Sequence, residues 1–384
     1  MGPLAGYRIV EMAGIGPAPF AAMLLSDMGA EVIRVDRRGE ADLGLPGRRD
    51  VKFDVLHRGR RSMAVDVKAE AGREVVKRLA AKADALIEGF RPGVMERLGL
   101  GPDQLLALNP KLVFGRMTGF GQDGPLAQAA GHDIDYIALA GALHAIGRKG
   151  EAPVPPLNLV GDFGGGGMFL AFGVVCALLE AQRSGKGQVV DAAMVDGSAT
   201  LMALMFGLFS QGTWKDERGV NVLDTGAPWY DTYATKDGKW LAVGAIERRF
   251  YQELIERLGL NPADLPRQHD RNGWPELKRR FAEAIAAKSR DEWEQIFAGS
   301  DACVAPILSL AEVAHHPHNA ARGTFVERDG VLQPAPAPRF SRTVPEMGAP
   351  PRQPGADTDA VLADFGFSAA EIAQLKDACV VGAA

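Results

Sequence analysis

Cysteine is scarce in this chain: Cys176, Cys303 and Cys379 are the only three among 384 residues, odd in number and widely spaced. That excludes a disulfide framework and a zinc-binding pattern, and the three are read as reduced, structural thiols. A signal peptide is missing too, because Met1 to Gly6 has no basic start, and no apolar run is expected to reach the length of a bilayer. These absences predict a soluble, cytoplasmic protein without a membrane partner. Charge of one sign is low, and a formal net charge of -5 argues against general nucleic-acid binding. What the chain does have is 47% apolar residues and a length beyond a single ordinary core, so two domains are expected.

The first forty residues read as one βαβ unit. An apolar strand at Tyr7 to Met12 leads into Gly14-Ile15-Gly16, then a helix over Phe20 to Met28 and a strand at Glu31 to Asp36. Gly14 and Gly16 begin a dinucleotide fingerprint, but Pro19 stands where the third glycine belongs, which weighs against a nicotinamide cofactor. Asp36-Arg37-Arg38 follows at a strand's carboxyl end, where parallel sheets bind ligands. Two readings stay open for it: arginine forks for the oxygens of a phosphorylated ribose, or a solvated basic loop. Between Arg34 and Arg61 nine Lys/Arg face five Asp/Glu, a local excess suited to a small polyanion. Further strands at Arg60 to Lys68, Asp84 to Glu88 and Leu112 to Met117 alternate with helices, and Gly89-Phe90-Arg91-Pro92-Gly93 is a second ligand-type loop. The pattern is a doubly wound α/β core.

Three carboxylate or imidazole groups stand at element starts or ends. Gly131-His132-Asp133-Ile134-Asp135-Tyr136 opens a helical pattern, which puts His132 where free N–H groups favour negative charge and an imidazole can carry a proton. Asp162 precedes Gly164 to Gly167 at the start of a long buried helix reaching Leu179, with the glycines expected to let a ligand approach the backbone. Glu247 ends a strand, either as surface decoration or as a positioned partner. Two decoys fail: Asp162-Phe163-Gly164 lacks the rest of the kinase signatures, and Gly185-Lys186-Gly187 lacks the spacing of a phosphate loop. His315, His316 and His318 read as loop residues, so no metal site is expected.

Later segments complete the plan. Gly197 to Ser210 reads as an apolar helix whose Met202 and Met205 either pack in the core or offer an adaptable surface for an acyl tail. Asp237-Gly238 turns a hairpin between Pro228 to Thr235 and Lys239 to Ile246. Capping boxes start helices at Ser289 with Glu292 and at Ser368 with Glu371. The expected domains are a large α/β domain over 1–190 completed by 330–384, a connection over 191–224, a small α+β domain over 225–318 and a return linker over 319–355, proline-rich towards its end.

Gly131 to Tyr136, Asn158 to Phe163 and Val243 to Glu247, with Val35-Asp36-Arg37, Lys186 to Asp191, Gly226-Ala227-Pro228 and Asp301 to Val304, resemble the α-methylacyl-CoA racemases of the family III CoA-transferase group, in order along nearly the whole chain. The resemblance implies an interlocked homodimer with a large Rossmann-like domain and a smaller one. It also implies a racemase that interconverts R and S 2-methylacyl-CoA thioesters by 1,1-proton transfer through an enolate. Such inversion needs an acid/base group on each face of the α-carbon. His132 and Asp162 match that pair, each expected to be buried and to influence the other, and Glu247 matches the residue that orients the histidine.

The resemblance further implies CoA contacts at Arg37, at Val65, Asp66, Val67 and Lys68, at Gly89, Phe90 and Arg91, at Arg97, and at Gly131, Asp133 and Tyr136; Arg38 is added from local charge. No cofactor is implied, since coenzyme A is part of the substrate. Asp135 departs from the usual asparagine, placing a charge three residues from His132, and Arg248-Arg249 replaces a Pro-Gln pair. The rival within the group is a CoA-transferase with Asp162 as nucleophile, which would not need His132. A non-catalytic CoA-binding module is the third reading.

Overall fold

The computed structural model describes residues 2–39 and 50–382, so residues 40–49 of the basic stretch lie outside the described residues. Contacts divide the chain into two units, one of residues 1–140, 157–201 and 320–384 and one of residues 141–156 and 202–319.

In the first unit, short apolar runs form β1 (Arg8–Met12), β2 (Glu31–Arg37), β3 (Arg60–Val65), β4 (Ala85–Glu88), β5 (Val113–Thr118) and β6 (Val189–Ala193). They lie in the order β3-β2-β1-β4-β5-β6, all parallel, and the tail strand Val381–Gly382 adds antiparallel to β3. Successive strand residues face opposite sides. Val10, Ile33, Leu86 and Phe114 therefore pack on one face with Val75, Val76 and Leu79 of helix Glu70–Ala80. Ile9, Val32, Ile87 and Val113 pack on the other with helices Pro17–Asp27 and Met168–Ser184. This is the doubly wound α/β arrangement. The strand order reverses at β1 and β4, which opens a crevice at their carboxyl ends.

Several local expectations change. The helical pattern after His132 is two pieces, Asp133–Leu139 and Ala142–Ala145, because Gly141 turns the backbone with φ 81°. Asp162 does not start an α-helix; it sits inside a wide π-helical turn, Leu159–Gly167, which continues into helix Met168–Ser184. That combined run spans 26 residues, so by length and composition one helix is apolar enough to cross a membrane, contrary to expectation. Helix Met168–Ser184 is not fully buried either, since Met168, Phe172 and Leu179 are exposed. The second apolar helix breaks at Met202 into Met194–Leu201 and Ala203–Ser210. Gln333 to Gly355 is not all linker: β10 (Phe325–Arg328) and β11 (Val331–Pro334) form a hairpin that reaches into it, and in the second unit β7 (Tyr230–Ala234) and β8 (Trp240–Gly244) gain a third strand, β9 (Val304–Pro306).

The second unit has its own core. Trp229, Leu241, Val243, Trp274, Phe281 and Trp293 are buried in it, and Ser289 with Glu292 forms the expected capping box at helix Arg290–Phe297. All three cysteines are free and exposed, so none serves as core packing.

Candidate active site

The turn after β1 fixes one wall of the crevice. Gly16 takes φ 70°, and a Cβ there would stand 3.4 Å from Asp162 Oδ2, so the carboxyl of Asp162 lies against this turn. Phe163 packs on Phe20 with ring centroids 4.6 Å apart and the planes tilted by 33°, fastening the π turn to helix Pro17–Asp27. The glycines beyond Asp162 serve packing and not ligand access. A Cβ on Gly165, Gly166 or Gly167 would meet Ser198 N at 2.6 Å, Met194 Cγ at 2.8 Å or Phe20 Cδ1 at 2.6 Å.

The other wall is the start of helix Asp133–Leu139. His132 is its N-cap, and its backbone N–H donates to Asp135 Oδ2 at 2.9 Å, so Asp135 closes a capping box. The first-turn N–H groups of a helix have no intrahelical acceptor, which leaves those of Asp133 and Ile134 suited to a developing anion. Tyr136 seats the turn: its hydroxyl donates to Gly131 O, and its ring lies on Gly119, where a Cβ would be 2.1 Å from Cε1. Burial, and after it the carboxylates of Asp162, Asp135 and Asp133, push the Tyr136 hydroxyl up to about 12.

One hydrogen bond joins the walls. The buried Asp133 carboxylate accepts from Asp162 N–H at 2.7 Å through Oδ2, and a Cβ on Gly161 would stand 2.5 Å from that oxygen. Asp133 Oδ1 is buried without a partner among the described residues. Burial raises the proton affinity of Asp162 most, the hydrogen bond from Asn158 Nδ2 at 3.1 Å opposes it, the Asp133 charge adds to the rise, and His132 pulls the other way. Asp162 therefore keeps its proton to a higher pH than an ordinary aspartate. His132 is exposed and Asp162 half-buried, so the pair is not the fully buried one expected.

The candidates that follow the strands line the same sheet edge. Because β1 to β5 are parallel, Val65, Asp66, Val67 and Lys68 after β3, Arg37 and Arg38 after β2, the Gly16 turn after β1, and Gly89, Phe90 and Arg91 after β4 stand side by side in that order. The four spacings from β3 to β5 cover about 19 Å, enough for an elongated ligand. Arg37, Lys68, Arg91 and Arg97 are exposed, while Arg38 Nε is buried with no described partner. Val65 is buried in the sheet, paired with Val381, so only its backbone borders the edge. Asp36, the residue a dinucleotide ribose would need, instead accepts from Arg34 Nε at 2.8 Å and Ser62 Oγ at 2.5 Å. Glu247 belongs to the second unit, exposed, as N-cap of helix Arg248–Arg257. Among the described residues no group of three or more His, Cys, Asp or Glu is arranged for a metal ion.

CoA-transferase family III is matched over residues 4–358. The chain belongs to that family. It is 49% identical over 381 residues to the alpha-methylacyl-CoA racemase of Mus musculus, with 98% of this chain and 97% of that one covered. To the enzyme of the same name from Homo sapiens it is 47% identical over 380 residues, with 97% and 96% covered. Among solved structures, a CAIB/BAIF family protein from Brucella suis superposes with TM-score 0.82 at 26% identity, over 95% of this chain and 99% of that one.

Sequence reasoning missed the Asp133 side chain, taken there only as part of a CoA-binding motif, and it missed Asn158. The second had a signal, since Asn158 precedes Asp162 by four residues, the spacing of neighbours on a helical turn. Asp133→Asn keeps an acceptor for Asp162 N–H and removes the charge. The Asp162 carboxyl then titrates at a lower pH than in the parent, read by carbon-13 NMR of labelled aspartates with Asp162→Asn for assignment; an unchanged or higher midpoint contradicts the coupling.

Proposed function

We propose that the protein is a racemase of 2-methylacyl-CoA thioesters. The observation that carries this reading is an N-cap histidine and a carboxyl of raised proton affinity on two segments joined through Asp133. The α-carbon lies between them. His132 takes the α-proton from one face, the pair of electrons moves onto the thioester oxygen, and Asp162 delivers a proton to the other face; the reverse direction exchanges the roles. N–H groups at the start of helix Asp133–Leu139 receive the enolate oxygen, each such donor contributing on the order of 3 kcal/mol. A carboxyl that holds its proton suits an acid/base better than a nucleophile, which favours this reading over acyl transfer to Asp162. The similarity to the two racemases supports the same choice.

The CoA nucleotide lies along the strand ends, with Arg37, Arg38, Arg91 and Arg97 at its phosphates. The thioester acidifies its own α-carbon, so the reaction calls on no metal or redox group. Glu247 orients His132 from a second copy of the chain. In support of a homodimer, Phe172 is 68% exposed and Phe206 53%, with Leu179, Leu204 and Phe209 also exposed, large apolar side chains of the kind that a subunit contact covers. Sedimentation velocity is expected to show a dimer, and a monomer at working concentrations overturns this part.

The activity is tested by proton NMR in deuterated buffer with each enantiomer. Both lose the α-proton and converge on one mixture, and His132→Ala or Asp162→Asn slows this by about 10²- to 10⁴-fold. Transfer of CoA to added carboxylic acids without α-exchange would establish the transferase instead.

A further inference from the structure

The loop from Gly89 to Arg97 carries four of the proposed CoA contacts, Gly89, Phe90, Arg91 and Arg97, and the groups that hold it lie mainly on the neighbouring strands. Glu88, Arg116 and Asp191 stand opposite one another on β4, β5 and β6, a row of alternating charge at the strands' carboxyl ends. Glu88 is fully buried, and both of its oxygens are engaged: Oε2 accepts from Phe90 N–H at 2.6 Å and Oε1 from Arg116 Nε at 3.0 Å. The two remaining nitrogens of Arg116 fork onto Glu96 at 2.7 Å and 3.2 Å. One carboxylate thus anchors the loop's beginning and, through a single guanidinium, the short helix Val94–Arg97 at its end. Between the anchors, Gln128 Nε2 donates to Pro92 O at 3.1 Å and Gly93 turns the chain with φ 82°. Arg91 and Arg97 are exposed on the segment so fixed.

A buried Arg–Glu pair is poor evidence of stability, because an apolar pair of equal volume often serves as well. An apolar side chain at position 88 could not accept the Phe90 N–H, however, nor could one at 116 reach Glu96. Burial pushes Glu88 up to about 7 against the opposing pull of Phe90 N–H and Arg116. Keeping such a costly charge is explained if the loop's aim matters more than local stability.

We propose that Glu88, Arg116 and Glu96 are positioning residues, a relay that aims the Arg91 and Arg97 guanidinium groups at the phosphates of the CoA moiety. This rests on the CoA-thioester reading above and deepens it. Ordering the loop before the ligand arrives lowers the cost of binding without altering the groups that move the α-proton.

Two variants test the relay. Glu96→Gln breaks the fork at its exposed end, where folding is not at stake, and Glu88→Gln cannot accept from Phe90 and Arg116 together. The relay predicts that Kd for free CoA, measured by calorimetry, and KM for α-proton exchange rise on the order of tenfold, as when one charge-assisted hydrogen bond is misdirected. It also predicts that kcat is unchanged and that an acyl-pantetheine thioester, which lacks the nucleotide phosphates, is turned over equally by parent and variants. Unchanged CoA affinity in a folded Glu96→Gln variant, or equal losses on both substrates, overturns the proposal. Failure of the parent chain to bind CoA is a separate result, which removes the functional reading and the relay with it.

Discussion

The hydrogen bond from Asp162 N–H to the Asp133 carboxylate is the constraint on which the candidate site depends. It ties a helix N-terminus to a π turn that is distant in sequence, and so sets the separation of an imidazole from a carboxyl. Its acceptor is negative and buried, which also discourages Asp162 from ionising. One group thus fixes both the geometry and the proton affinity, and Gly161 is required because any side chain there would collide with it. The packed glycines after Asp162 do the same work from behind, letting the π turn press against helices Pro17–Asp27 and Met194–Leu201.

The sheet supplies the rest. A parallel order that reverses between β1 and β4 brings loops far apart in sequence to one edge, so basic side chains stand along it in sequence-scrambled order. Two kinds of arginine occur near it. Arg58 and Arg60 are buried against Asp27 and Glu11 and belong to the scaffold, whereas Arg37, Arg91 and Arg97 are exposed at the edge. The excess of positive charge between Arg34 and Arg61 is therefore partly structural, which composition alone cannot distinguish.

Much of this was legible in the sequence. Short apolar runs at Arg8 to Met12 and Glu31 to Arg37 mark strands, Asp237-Gly238 marks its hairpin, and the Ser289 and Ser368 caps mark helix starts. His132 and Asp162 were legible as candidates, and the structure ties their two segments together through Asp133. What escaped was whatever depends on contacts between distant segments. The glycines after Asp162 read as an opening for a ligand because their neighbours, Phe20, Met194 and Ser198, are far away in sequence. The hairpin of β10 and β11 was lost among prolines, although Asp329-Gly330 turns it as Asp237-Gly238 turns the other. Glu88 was legible as the strand end that leads into a ligand-type loop, but its pairing was not, since its partner Arg116 is 28 residues on. Burial misled as well: hydropathy predicts a core role for Phe172 and Leu179, while both are exposed.

The most direct test of opposed acid/base groups is a crystal structure of the protein with a 2-methylacyl-CoA bound. The predicted result has the α-carbon between the His132 imidazole and the Asp162 carboxyl, with the thioester oxygen turned towards the N–H groups at the start of helix Asp133–Leu139. An acyl group joined to Asp162, or an α-carbon out of reach of His132, would contradict it.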